Sequence, residues 1–371
     1  MVMKKYHFLA VVAVAALAAC SKTAPVAETP DPLDDGSAVA VSFAAYSPKN
    51  IDVKSTGAVE NAWAGQTLKI YGYDKTVTDF SAATPFINNV EAAAPSSGVK
   101  GEITVLNPDY NEPFYYVTGK YYDFYGYHID DAFTDDPVAQ ADGVYVPFTI
   151  DGSQDLMIAK ADQATDIASA GASISADKAY SAYAARRGVQ PNLLFHHLLS
   201  RFTFNIVAGS ETGSKINVDA IKMVSKSSGQ LKVVGEDRGL ANVSETLDTL
   251  ALMEKQDGEM VALTPVQPDT YAEARDNAKQ VGESLMVIPG ESSYKLLVST
   301  SQEGVATEIE PQEYEINIAN ITGAPDGATA FEAGYSYKVT LVIYGLEEVK
   351  FIVELEEWKD GGSTIIDPDL I

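Results

Sequence analysis

The side chains able to do chemistry are few in kind. Across 371 residues there are four histidines and one cysteine, with 52 carboxylates set against 26 lysines and arginines. His7 lies near the amino terminus. His128 ends the run Tyr121-Tyr122-Asp123-Phe124-Tyr125-Gly126-Tyr127-His128, and His196 and His197 are adjacent near the middle of the chain. Neighbours on an extended segment point to opposite faces, which disfavours joint ligation of one metal by His196 and His197. His197 shares its parity with Phe195 and Leu199 and is expected to be half-buried and bonded to backbone. The aromatic run and Trp63 suit cross-strand packing, or a stacking platform for a sugar ring. With so many carboxylates, proximity in sequence singles out no glycosidase pair, and Asp130-Asp131 with Asp135-Asp136 read as a solvated loop tip. There is no Gly-x-Ser-x-Gly elbow, phosphate loop, His-Glu-x-x-His or dinucleotide fingerprint. A lone cysteine forms no internal disulfide and no cysteine metal cluster. We therefore expect no enzyme, no catalytic residue, no cofactor and no metal. The excess of acid also argues against nucleic acid as a partner, since phosphate contact needs clustered cations.

Cys20 takes its meaning from what precedes it. Lys4 and Lys5 are followed by an apolar run from Phe8 to Ala16 and then by Leu17-Ala18-Ala19-Cys20. The run is too short to span a bilayer but suits a signal peptide. Small residues directly before a cysteine resemble a bacterial lipobox. That resemblance implies cleavage after residue 19 and lipid on the Cys20 sulfur. Loss of residues 1–19 removes two lysines and no acid, so the mature chain is more acidic still than the whole, whose formal charge is −26. Attachment to a membrane would then rest on acyl chains and not on charge. Residues 20–37 hold Pro25, Pro30 and Pro32 among Asp31, Asp34 and Asp35. They read as a flexible tether, without the ligand spacing of a calcium loop.

The elements that must position these residues read as strands, and the fold class as all-β. Period-two runs recur at Val39, Val41 and Phe43; at Leu68 and Ile70; at Val144, Val146, Phe148 and Ile150; and at Tyr335, Tyr337, Val339, Leu341 and Ile343. The last run turns at Gly345–Glu348 and returns through Val349, Phe351, Val353 and Leu355 as a hairpin. The alanine-rich span from Ala159 to Ala185 suggests a surface loop with a short helix. It ends at Arg186-Arg187-Gly188, where we expect the division between an N-terminal β-sandwich, 38–188, and a C-terminal one, 189–371. Just beyond it, Phe195, His197 and Leu199 follow one parity, while Phe202, Phe204 and Ile206 follow the other. A ladder changes parity only through a bulge, a bend or a change of sheet. We place that change at Ser200-Arg201.

Several of these pieces, in this order, resemble the fimbrillin family of lipoprotein subunits of type V pili. The segment Phe195-His196-His197-Leu198-Leu199-Ser200-Arg201 is similar to that family's Phe-x-His-x-Leu-Ser/Ala-Arg/Lys strand, and Phe202 and Phe204 continue it. Trp63-Ala64-Gly65-Gln66-Thr67-Leu68-Lys69-Ile70-Tyr71 resembles its early Trp-x-x-Gly strand, with one residue fewer between Trp63 and Gly65, and Asp155-Leu156-Met157-Ile158-Ala159 resembles its Asp-Leu-hydrophobic-x-Ala segment. Leu285-Met286-Val287-Ile288-Pro289-Gly290 and the closing Gly334-Tyr335-Ser336-Tyr337 to Glu357-Trp358-Lys359-Asp360 also fit. The resemblance spans roughly residues 39–362.

It implies two tandem transthyretin-like Greek-key β-sandwiches and assembly by donor-strand exchange, in which a neighbour's strand fills a groove left by a displaced one. Partners would be other pilus subunits, the outer membrane through the lipid, and a host or bacterial surface ligand; adhesion and biofilm formation would follow. In stalk subunits an arginine-specific protease cuts after an early arginine and releases the first strand. Here no arginine precedes Arg186, and Lys54 occupies the matching place. A cut after Lys54 would release Val39, Val41 and Phe43; without it the subunit would stay tied to the membrane as an anchor. Ile365 and Ile366 in the tail are candidates for a donor strand, although Pro368 interrupts the ladder. The alternative function is a surface glycan-binding lipoprotein using Trp63 or the Tyr121–His128 rings.

Overall fold

The computed structural model describes residues 36–48, 62–132, 135–271, 278–305, 310–325 and 327–356. Cys20, Lys54, Ile365 and Ile366 lie outside them. Met1–Ser37 forms one unit, described only at Gly36 and Ser37, and Ala38–Ile371 a second that carries all the described strands. The second unit is nearly all β, its strands gathered into packed sheets.

A five-stranded antiparallel sheet runs in the order His196–His197, Met157–Lys160, Tyr122–His128, Thr67–Asp74, Ile87–Ala93. Side chains alternate across a strand, and here both faces are buried. Leu68, Ile70, Tyr122, Phe124, Met157 and Ala159 belong to a first apolar cluster, with Phe43, Trp63 and Phe195. Tyr71, Tyr73, Tyr125, Tyr127, Leu156 and Ile158 belong to a second. Two buried faces explain why Tyr122–His128 carries aromatic rings on both parities, Tyr122 and Phe124 on one and Tyr125 and Tyr127 on the other. A three-stranded sheet contributes to the first cluster. Its middle strand, Phe43–Tyr46, lies between Asn192–Leu194, parallel to it, and Lys100–Ile103, antiparallel.

The second cluster is walled by three four-stranded sheets. One runs Lys279–Val287, Ser200–Ala208, Ser336–Gly345, Glu348–Glu356, and another Leu247–Ala251, Ile216–Lys226, Ser293–Gln302, Gln312–Asn317. In the third, Gly143–Thr149 pairs with Ser228–Gly235, flanked by Val138–Gln140 and Gly239–Ala241. Val144, Val146 and Phe148 thus pack with residues that follow Ser200 in sequence. Phe202 anchors this core, stacked on Tyr337 at 5.2 Å and tilted against Phe331 at 5.5 Å.

The alanine-rich span is more ordered, and more buried, than a surface loop. It holds a helix at Gln163–Ala170 and a single turn at Ala182–Ala185. Asp162 caps the longer helix by accepting the Thr165 N–H at 2.6 Å, and Gly171 closes it at φ 62°, a conformation that favours glycine. Tyr180 and Ala184 are buried in the first cluster.

Candidate functional site

The segment from Val39 to Ser47 is bonded along both sides. Towards one side the Val41 N–H donates to the Phe114 carbonyl at 2.8 Å, the Tyr116 N–H to Val39 at 2.9 Å, and the Ser47 N–H to Val99 at 2.9 Å. Towards the other, the Ala44 N–H donates to Pro191 at 3.2 Å, and Tyr46 accepts from Phe195 at 3.1 Å. Alternation sends Val41, Phe43 and Ala45 inward, where all three are buried, while Ser42 faces solvent. The Phe43 ring meets Phe124 edge-on at 5.0 Å. The first described strand is therefore a central strand. Without it, the walls at 99–116 and 191–195 would present unpaired backbone groups over an open apolar floor.

The middle of the chain joins the two cores. Phe195 lies in the first and meets Trp63 edge-on at 5.2 Å. Leu199, Phe202 and Phe204 lie in the second. The chain leaves the five-stranded sheet after His197 and enters the next at Ser200, with Leu198 and Leu199 between them. The new path is pinned by backbone and side chain alike. The Arg201 N–H donates to Tyr335, the buried Arg201 Nε to Ser336 Oγ at 2.9 Å, and Ser200 Oγ to the Glu332 carbonyl at 2.7 Å.

The parity argument expects His197 to be half-buried and bonded to backbone; the structure buries it against a carboxylate. It is buried, and its Nδ1 lies 2.8 Å from Oδ2 of fully buried Asp155. Met157 is in register with His197 on one side and His128 on the other, which brings the two imidazoles to one face of the sheet. His128 Nδ1 faces the Thr67 carbonyl at 2.9 Å and must carry the proton there; its Nε2 faces Asp130 Oδ1 at 3.0 Å. Burial opposes a charge on His128, but Asp130 outweighs it, aided by Thr67 and Asp155, and the pKa is raised. Asp130 Oδ2 also accepts the Asp155 N–H at 3.2 Å. Asp130 therefore does more than decorate a solvated loop. Its φ of 43° turns the chain back so that the carboxylate reaches the sheet, a conformation Asp tolerates better than most residues.

The aromatic residues are packing groups. Trp63 and the Phe124, Tyr125 and Tyr127 rings are buried, and of the run's rings only Tyr121 is half-exposed. Burial drives the Tyr71, Tyr125 and Tyr127 hydroxyls well above their ordinary pKa. Such rings have no free face for a sugar, which removes the footing of the glycan-platform alternative.

Sequence reasoning missed Asp166. Its carboxylate, buried beneath the helix Gln163–Ala170, accepts the Tyr180 hydroxyl at 2.6 Å and both the N–H and the side-chain amide of Asn192, at 2.9 and 2.5 Å. The readable signal was the cap pair Asp162 and Thr165, which sets the helix and so places Asp166 one turn in.

A family model described as fimbrillin-like matches residues 56–358. No curated protein sequence matches. Among solved structures, a candidate cell adhesion protein from Bacteroides uniformis superposes with a TM-score of 0.50 at 16% identity, covering 86% of this chain and 99% of the other. One from Bacteroides ovatus gives 0.49 at 11% identity, covering 88% and 100%. A fimbrilin from Porphyromonas gingivalis gives 0.42 at 10% identity, covering 87% and 99%. With the family model spanning most of its length, the chain belongs to the fimbrillin-like family, as a non-enzymatic structural protein of cell-surface fimbriae.

Proposed function

We propose that this protein is a fimbrial subunit that joins its neighbours by strand exchange through the groove now occupied by residues 39–47. The observation that carries the reading is the placement of that segment: first among the described strands, yet bonded on both sides and buried at Val41, Phe43 and Ala45. A cut after Lys54 frees it at its carboxyl end. A strand from another subunit then takes its place by β-augmentation, with backbone bonds giving affinity and alternate side chains filling the vacated pockets. Ile365 and Ile366 are this chain's own candidates to be donated onward. Lipid on Cys20 holds the precursor at the outer membrane, and a copy that escapes cutting stays there as an anchor.

The test is N-terminal sequencing with intact mass on protein recovered from the surface of its own cells. A chain beginning at Ser55 supports displacement of the first strand. A chain beginning at lipidated Cys20 in assembled fimbriae refutes displacement and leaves the anchor role. An unmodified Cys20 would refute the lipid reading.

A further inference from the structure

The acceptor edge at 191–195 is held from behind by a buried acid. Successive N–H groups of a strand point to opposite sides, and here they divide cleanly. On the side of the first strand stand the Pro191 carbonyl, bonded to Ala44, and the Phe195 N–H, bonded to Tyr46. On the far side the Asn192 N–H meets Asp166 Oδ2 at 2.9 Å, and the Asn192 side chain meets Oδ1 at 2.5 Å. Tyr180 holds the same carboxylate at 2.6 Å. The far side also carries an antiparallel bridge between Leu193 and Ala161. None of these contacts involves residues 39–47.

On the opposite wall stands Tyr116, whose N–H bonds Val39. Its hydroxyl is buried without a hydrogen-bond partner among the described residues. Burial, and then the charge of Asp166, raise its pKa.

We propose that Asp166 is the positioning residue for strand acceptance: it fixes Asn192 so that the 191–195 edge keeps its register while the groove is empty and receives the incoming strand without refolding. This rests on the displacement of residues 39–47 proposed above and adds to it a named determinant of the acceptor. Supporting it, burial raises the Asp166 pKa despite the bonds from Tyr180 and Asn192. A carboxylate that is costly to bury when ionised is thus kept where it orders an edge strand.

The experiment uses the chain from Ser21 onward with a specific protease site engineered at Lys54-Ser55. After cutting, a labelled synthetic peptide of residues 38–48 is added in excess. Uptake is followed together with amide-resolved hydrogen exchange, and uncut samples report thermal stability. We expect the wild type to exchange its strand for the peptide. While the groove is empty, the Phe195 amide should lose protection and the Asn192 amide should keep it. Asp166→Ala should slow uptake about tenfold or more, the scale of a hydrogen bond to a charged group. Ile167→Ala, a neighbour on the same helix, should lower stability without slowing uptake. If Asp166→Ala does not fold, the Asn192 and Phe195 amides of the wild type still decide the matter. Equal loss of protection at both amides, or unchanged uptake by Asp166→Ala, overturns the positioning role and leaves strand exchange standing. Failure of the cut wild type to take up peptide overturns both.

Discussion

Replacing Phe43 by alanine tests whether the first described strand is a working part of the core. The ring is 1% exposed and lies edge-on to Phe124 at 5.0 Å. Deleting a buried phenylalanine forfeits its transfer energy and leaves a cavity, together about 3–5 kcal/mol. The floor beneath it is formed by large rings, Phe124 among them, and by sheet backbone held on both sides, so little collapse into the space is expected. The upper half of the range is then the better figure. The assay is urea unfolding read by the fluorescence of Trp63, which is buried in the same cluster against Phe195. The chain has two tryptophans, so Trp358→Phe in all samples leaves Trp63 as the only indole. With a slope of about 3 kcal/mol per molar, Phe43→Ala should lower the midpoint by more than about 1 M. Ser42→Ala, one residue away and facing solvent, should leave it nearly unchanged. If the two variants shift the midpoint alike, residues 39–47 do not sit in the first core and the groove argument fails with them.

His128 makes a signed contribution to stability with pH. Its raised folded-state pKa means that the stabilisation is complete below the unfolded value of about 6.5 and is lost as pH climbs through the higher folded value. The gap in thermal midpoint between wild type and His128→Gln should be widest in mild acid and narrow as pH rises; a gap that widens with pH would contradict the Asp130 geometry. Gly126→Ala tests the close approach of the five-stranded sheet to the central stretch, since a Cβ there would meet the Phe195 ring at 2.9 Å and Leu193 at 3.2 Å. Overpacking of this kind should cost about 1–3 kcal/mol by chemical denaturation, and a neutral result would mean that Phe195 is free to move.

What the sequence made legible was whatever alternates. The hairpin Ser336–Gly345 with Glu348–Glu356 has one buried face and one exposed, so Tyr337, Val339, Leu341 and Ile343 announce themselves, and all four are buried. The passage from one core to the next was legible too, but not its position: parity puts it at Ser200-Arg201, whereas Leu199 already lies in the second core and Leu198 and Leu199 form the link. Strands buried on both faces were not legible. Tyr125 and Tyr127 suit a packing role or a sugar platform equally in sequence, and only the second core behind the sheet, which also takes Tyr71 and Tyr73, decides for packing. Nor does alternation report long-range polar pairs. Asp155 and His197 are 42 residues apart, and Asp166 and Asn192 are 26 apart. No periodicity links such partners, because it is sheet registration that brings them together. The Asp162 cap was visible in principle, but glycine and serine nearby obscured the helix it starts.

The first strand combines two properties that seldom coincide. It is central in its sheet, with partners on both edges, and it is first in chain order among the described strands. Tyr122–His128 is equally central, but withdrawing it would drag the chain on either side through the fold. Among the described residues no strand precedes Phe43–Tyr46, so under the proposed exchange one cut in the segment that follows would release it with no other described strand moving. Its wall at 191–195 is parallel to it and is held from the far side by Asp166 and Ala161, while its wall at 100–103 is antiparallel. A replacement strand therefore has one direction that satisfies both edges. It also has one parity that puts an aromatic ring where Phe43 lies and a small side chain where Ala45 lies. Under the proposed exchange, the features that would let the segment leave also dictate what can take its place.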